Sequence, residues 1–87
     1  MIRVAIPSQL IAYTDGVTRV EAAGGTVADV LDDLDRRFPG LKFRVIDEQD
    51  RIRRHMRIFV DRDEAKSVYV PVSVGNELLI FGALSGG

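Results

Sequence analysis

The chain opens with a segment in which apolar and polar residues alternate, the two-residue period of a half-buried strand. Ile2, Val4 and Ile6 share one side of this predicted strand. A turn-favouring Asp-Gly pair at 15–16 separates it from a second extended segment over 17–22. We therefore predict an antiparallel hairpin with a loose loop at the start of the chain.

The clearest helical pattern lies between residues 26 and 38. Thr26 is followed three residues later by Asp29, which resembles a capping box with Asp in place of the usual Glu or Gln. Pro39 and Gly40 then end the helix. Its apolar residues recur at the spacing of one helix face, and they are Val27, Val30, Leu31, Leu34 and Phe38.

The pattern after the helix is weaker and then alternates again. Residues 41–54 favour a short turn of helix or an irregular covering segment, with Phe43 among the residues that could pack. Alternation predicts a strand over 56–60, followed by a polar turn over 61–64.

The last third of the chain predicts two more extended pieces. Pro71 interrupts the apolar stretch 68–74, so we predict an edge strand, a bulge or two short pieces there. A final strand is predicted over 77–81, and a flexible C-terminal tail over 82–87.

The predicted order of elements is strand, strand, helix, strand, short strand, strand. One amphipathic helix buries its apolar stripe most naturally against one face of a sheet. We therefore predict an α+β roll in which a mixed sheet packs on one main helix. A chain of 87 residues has room for one domain, spanning 1–87.

Composition removes several classes of function. The chain has no cysteine and one histidine, His55, which excludes disulfides and thiol nucleophiles and disfavours a zinc site. A net charge of −1 gives no general attraction for nucleic acid or anionic lipid. Neither a membrane-spanning run nor a secretory signal is visible, so we expect a cytoplasmic protein with no nucleic-acid or membrane partner.

A dense basic stretch over 51–57 has two interpretations. It could contact RNA, phosphate or an acidic groove of a partner, or it could be a solvated loop and strand edge. Asp47, Glu48 and Asp50 lie close by in sequence, and base-stacking aromatic residues are missing from the stretch itself. Both observations favour the solvated interpretation.

The final residues, Gly86 and Gly87, carry the most specific chemical signal. Glycine lacks a Cβ, so a diglycine end is narrow enough to enter a tight channel. The carboxylate of Gly87 could be activated with ATP by a partner and could then accept sulfur or be captured by an amine or a thiol. The alternative is an ordinary frayed end, since glycine is common in tails.

The chain resembles the ubiquitin-like sulfur-carrier family in three features. These are the order of its elements, the Gly-Gly-Thr start of the helix at 24–26, and the closing sequence GNELLIFGALSGG over 75–87. This family includes the small subunit of molybdopterin synthase and the sulfur carrier of thiamine biosynthesis. The chain departs from the family pattern at Asn76 for Asp, at Leu78 for Val, and at 82–83, where the molybdopterin synthase subunit often carries a proline pair.

The resemblance implies a β-grasp fold and a protein co-substrate rather than an enzyme. It implies that an E1-like adenylating enzyme activates Gly87 with ATP and magnesium, so the carrier itself binds no cofactor or metal. It also implies a sulfur-accepting synthase or sulfurtransferase as a second partner. Gly86 and Ser85 would thread into the activating site, and Phe81 and Leu84 match the segment that family partners grip.

The residue pattern by itself leaves the role of Phe81 open. Leu78 and Ile80 point to one side of the last strand, and Leu79 and Phe81 point to the other. Apolar residues on both sides indicate either a central strand covered on both faces or an exposed docking patch.

Three functions remain from the sequence. The first is a sulfur carrier whose Gly87 thiocarboxylate serves the synthesis of a cofactor, an amino acid or thiolated tRNA. The second is a ubiquitin-like modifier joined through Gly87 to target lysines. The third is a non-covalent β-grasp interaction module with an incidental tail.

Overall fold

A five-stranded mixed sheet forms the frame of the protein. In the computed structural model, which describes residues 1–82, its strands are β1 (Ile2–Ala5), β2 (Arg19–Ala22), β3 (Met56–Val60), β4 (Asp63–Ala65) and β5 (Glu77–Gly82). Their spatial order is β2-β1-β5-β3-β4. β1 pairs antiparallel with β2 and parallel with β5, which confirms both the predicted hairpin and the mixed sheet.

The hairpin connection is more ordered than the loose loop that the sequence predicted. A 3-10 helix, Ser8–Thr14, fills most of it and buries Leu10 and Thr14. The hydroxyl of Thr14 donates a hydrogen bond to the backbone carbonyl oxygen of Val17 at 2.7 Å. This hydrogen bond explains why a polar side chain can be buried here.

Helix α1 (Val27–Arg37) packs its predicted apolar stripe against the sheet. The hydroxyl of Thr26 accepts a hydrogen bond from the backbone N–H of Asp29 at 3.2 Å, as the capping pattern predicted. The Asp29 carboxylate accepts from the N–H of Gly25, also at 3.2 Å, and so closes the turn before the helix. The core residues on this helix are Val27, Val30, Leu31 and Leu34, all fully buried.

The short strand lies earlier in the chain than predicted. β4 occupies Asp63–Ala65, which overlaps the end of the polar turn predicted over 61–64, and it pairs antiparallel with β3. The predicted strand pieces over 68–74 are wrong, because that segment contains only an isolated bridge between Pro71 and Thr26.

Residues 68–70 instead complete the start of α1. The carbonyls of Val70 and Val68 accept hydrogen bonds from the N–H groups of Val27 and Ala28, at 3.0 and 2.8 Å. The first N–H groups of a helix have no partner within the helix, so this segment supplies partners from elsewhere in the chain. The carbonyls of Val68 and Val70 are therefore bonded to the helix and are not paired with a neighbouring strand.

A second, short helix, α2 (Leu41–Val45), confirms the helical alternative for the weakly patterned stretch. Leu41 and Val45 are buried, but Phe43 is 53% exposed and does not pack as the sequence suggested. In one turn of helix, the residue between two buried positions faces the opposite side, which explains the difference.

The last strand extends one residue further than predicted. Gly82, assigned from the sequence to the tail, pairs with Met56 and ends β5. The rest of the predicted tail, 83–87, lies outside the described residues. Within residues 1–82, no helix is long and apolar enough to cross a bilayer.

Candidate functional site

β5 lies at the centre of the sheet and presents two different faces. Leu78 and Ile80 are buried beneath α1, whereas Leu79 is half-buried and Phe81 is 49% exposed on the opposite, outer face. For Phe81, the interpretation of a strand covered on both faces is therefore wrong. An exposed aromatic side chain stands one residue before the end of β5.

Strand register brings four apolar side chains together on the outer face. Ala5 and Phe59 lie on either side of Leu79 in the neighbouring strands, and Phe81 is the next outward residue along β5. The rings of Phe59 and Phe81 meet edge to face, with centroids 5.6 Å apart and planes at 81°. We call Ala5, Phe59, Leu79 and Phe81 the aromatic patch.

Charged side chains border the aromatic patch on the side of β3 and β4. Arg57, opposite Phe81, donates to the Glu64 carboxylate at 3.0 Å, and Lys66 donates to the same carboxylate at 3.1 Å. The hydrogen bond from Lys66, with the nearby positive charges, holds the pKa of Glu64 below its usual value. An apolar centre with a charged rim is the composition typical of a protein-binding surface.

The end of β5 is held from a distant part of the chain. Gln9, in the 3-10 helix, donates a side-chain hydrogen bond to the carbonyl of Gly82 at 2.9 Å. A Cβ added at Gly82 would lie only 2.9 Å from that same Gln9 nitrogen, so glycine leaves the space that the contact uses. This contact positions the last described residue before the diglycine sequence.

Replacing Gln9 with Ala should loosen the end of β5 without unfolding the protein. A neutral hydrogen bond contributes about 1 kcal/mol, so amide hydrogen exchange near Met56 and Gly82 should accelerate about fivefold. NMR exchange measurements would test this, with Gln49→Ala as the control, because Gln49 is an exposed glutamine in a loop. Equal exchange at the end of β5 in both variants would show that the Gln9 contact holds nothing in place.

Of the predicted site residues, the structure places Phe81 in the aromatic patch. Leu84, Ser85, Gly86 and Gly87 lie outside the described residues. Within residues 1–82, no three His, Asp or Glu side chains are arranged to hold a metal ion.

Sequence reasoning missed two residues of this site. The alternation in β3 puts Phe59 on the face opposite Ile58 and Val60, so the sequence could have indicated its outward direction. Its contact with Phe81, however, depends on strand register. Gln9 lies 73 residues from Gly82, and no local pattern links them.

No protein-family model matches the chain, but its sequence is similar to those of individual proteins along nearly their whole length. It is 26% identical to the sulfur carrier protein CysO of Mycobacterium tuberculosis over 91 aligned positions, which cover 99% of this chain and 98% of that protein.

Solved structures extend this likeness to the fold. One chain of the BexX/CysO complex of Amycolatopsis orientalis is 31% identical, with a TM-score of 0.92 over the full length of both chains. SAMP1 of Haloferax volcanii is 27% identical, with a TM-score of 0.77 over 99% of this chain and 98% of that one. The β-grasp fold is thereby confirmed, and the chain belongs to the ubiquitin-like sulfur-carrier family.

Proposed function

We propose that this protein carries sulfur as a thiocarboxylate on the carboxyl group of Gly87. The observation that carries the proposal is the likeness to a CysO protein along the whole chain, joined to a closing Gly-Gly sequence. The protein acts as a co-substrate, and the chemistry is performed by its partners.

The reaction needs two steps on one carbonyl carbon. In the first, an adenylating enzyme uses ATP and magnesium, and a Gly87 carboxylate oxygen attacks the α-phosphate and displaces pyrophosphate. In the second, hydrosulfide attacks the acyl carbon and displaces AMP, leaving a thiocarboxylate and a released proton. Adenylation is required because a free carboxylate has no adequate leaving group.

Intact-mass analysis tests the proposal. The protein is incubated with its source organism's adenylating enzyme, ATP, magnesium and sulfide. The mass of the protein should then increase by the difference between one sulfur and one oxygen atom. Fragmentation should place that gain on Gly87. A second carrier protein that the same enzyme loads serves as the positive control. If the mass of this protein stays unchanged while the control is loaded, the proposal is contradicted.

The aromatic patch is the surface that we propose for both partners, the adenylating enzyme and the sulfur-accepting synthase or sulfurtransferase. It lies on β5, the strand that leads into the diglycine sequence. A relative of this chain has been solved in a complex, BexX/CysO, which supports a carrier that binds a second protein.

Phe81→Ala should weaken binding to the adenylating enzyme by about tenfold or more, because buried aromatic anchors carry a large share of interface energy. Titration calorimetry would measure the affinity. Tyr69→Ala is the matched control, since Tyr69 is 68% exposed in the segment that contacts the start of α1. Equal affinities for the two variants would remove Phe81 from the docking surface.

A second function, conjugation to proteins through Gly87, is favoured by the likeness to SAMP1, a small archaeal modifier protein. Its signature would be Gly86-Gly87 remnants on lysines of cellular proteins. For self-linked chains, Lys66 is the better acceptor, with a side chain 81% exposed. The side chain of Lys42 is only 31% exposed and donates a hydrogen bond to Asp32.

A further inference from the structure

The basic stretch lies at the same end of the sheet as the last residue of β5. β3 runs antiparallel to β5, so Met56 at the start of β3 pairs with Gly82. The N–H of Met56 donates to the carbonyl of Arg53 at 2.9 Å, which turns the preceding residues around this end. Arg54 and His55 are exposed there.

Several of these cations line one depression on the surface. Its volume is about 230 Å³, and its charged lining consists of Arg53, Arg54, Arg57, Lys66 and the single carboxylate of Glu64. We call these four cations the basic end. Lys66 comes directly after β4, so the basic end extends from the end of β5 to the edge of the sheet.

The positive charge here is only partly neutralised. Arg57 and Lys66 share Glu64, at 3.0 and 3.1 Å. Among residues 1–82, no carboxylate lies within 4.0 Å of Arg53 or Arg54. Asp47 lines a neighbouring depression together with Arg53 and Arg54. The depression described here is lined by four cations and one carboxylate, a local excess that the net charge of the whole chain, −1, conceals.

The surroundings favour a protein surface over RNA. The guanidinium of Arg53 lies 4.9 Å from the ring centroid of Phe43, so one face of the nearby aromatic ring is already covered by a cation and is not open to a base. Arg57 lies opposite Phe81, so the basic end is continuous with the aromatic patch.

We propose that the basic end is a docking surface for a cluster of carboxylates on the adenylating enzyme, which grips the aromatic patch at the same time. This inference rests on the proposed function and adds the charge of the partner to it. Complementary charges at an interface rim raise the association rate and orient the encounter, and salt weakens their effect. The basic end would thus orient the carrier so that the end of β5 faces the adenylating enzyme when the two proteins meet.

Charge reversal at Arg54 tests the inference. Arg54→Glu is compared with Arg62→Glu, which makes the same change on an exposed residue just after the opposite end of β3. ATP–pyrophosphate exchange by the source organism's adenylating enzyme is measured with each carrier at low and at high salt. Arg54→Glu should raise the KM for the carrier about fivefold to tenfold at low salt, with kcat unchanged and the difference reduced at high salt.

Arg62→Glu should leave KM within about twofold of wild type, as expected for a charge outside an interface. Both variants should melt at the wild-type temperature, since both side chains are exposed. Equal KM values for the two variants, with wild type turned over normally, would overturn the inference and leave the proposed function intact. Absence of turnover of wild type would overturn both.

Binding of a single-stranded oligouridylate tests the alternative that the basic end contacts RNA and not an acidic protein. We expect no binding to wild type at physiological salt. Binding that is lost in Arg54→Glu and kept in Arg62→Glu, with unchanged KM, would assign the basic end to RNA and overturn the acidic partner.

Discussion

Deleting Gly86 and Gly87 is expected to abolish sulfur loading completely while leaving the folded body intact. The proposed chemistry takes place on the Gly87 carboxyl, and a chain ending at Ser85 would present a bulkier residue to the activating site. All buried residues in the described part of the chain lie between Ile2 and Ile80, so the deletion removes none of that core. The thermal midpoint should therefore remain that of wild type.

Two measurements check this result. Intact-mass analysis after incubation with the adenylating enzyme should show sulfur on wild type and none on the truncated protein, and circular dichroism should give the same melting curve for both. A truncated chain that still supports the biological activity of wild type would favour the non-covalent interaction module. It would also refute the carrier chemistry.

Leu34→Ala is expected to cause the largest loss of stability, about 2–5 kcal/mol in the free energy of unfolding. Leu34 is fully buried between α1 and the sheet, so the change removes apolar contacts and leaves a cavity. Small domains have a total stability of only roughly 5–15 kcal/mol. The variant should therefore populate unfolded chain at moderate urea concentrations.

Urea denaturation monitored by circular dichroism would measure the difference. Val74→Ala is the matched control, because Val74 is 82% exposed and its truncation should change the free energy of unfolding by less than about 0.5 kcal/mol. A loss below about 1 kcal/mol for Leu34→Ala would mean that the contact between α1 and the sheet is not the main core.

Elements with local signals were predictable because the signal and the structure depend on the same few residues. The stripe and cap of α1 predicted its bounds to within a residue or two, since helix hydrogen bonds join residues four apart. Alternation likewise predicted β1, β3 and the two faces of β5.

Errors arose where a distant partner decided the outcome. The apolar stretch around Pro71 looked extended, but the unpaired N–H groups of α1 took the carbonyls of Val68 and Val70. The polar residues of β4 looked like a turn, and only the free edge of β3 made them a strand. Edge strands tolerate charged residues, so their composition is a weak signal.

The family resemblance and the proposed diglycine chemistry came from short runs of neighbouring residues and from the order of elements along the chain. The strand order in space was different, because it determines which residues become neighbours across the sheet. It set Phe59 beside Phe81, Gln9 against Gly82, and Arg54 at the end where β5 stops. Linear order nominated Phe81 and the basic stretch but neither Phe59 nor Gln9. Pairing between remote strands, driven by burial of a common core, was needed to bring these side chains together.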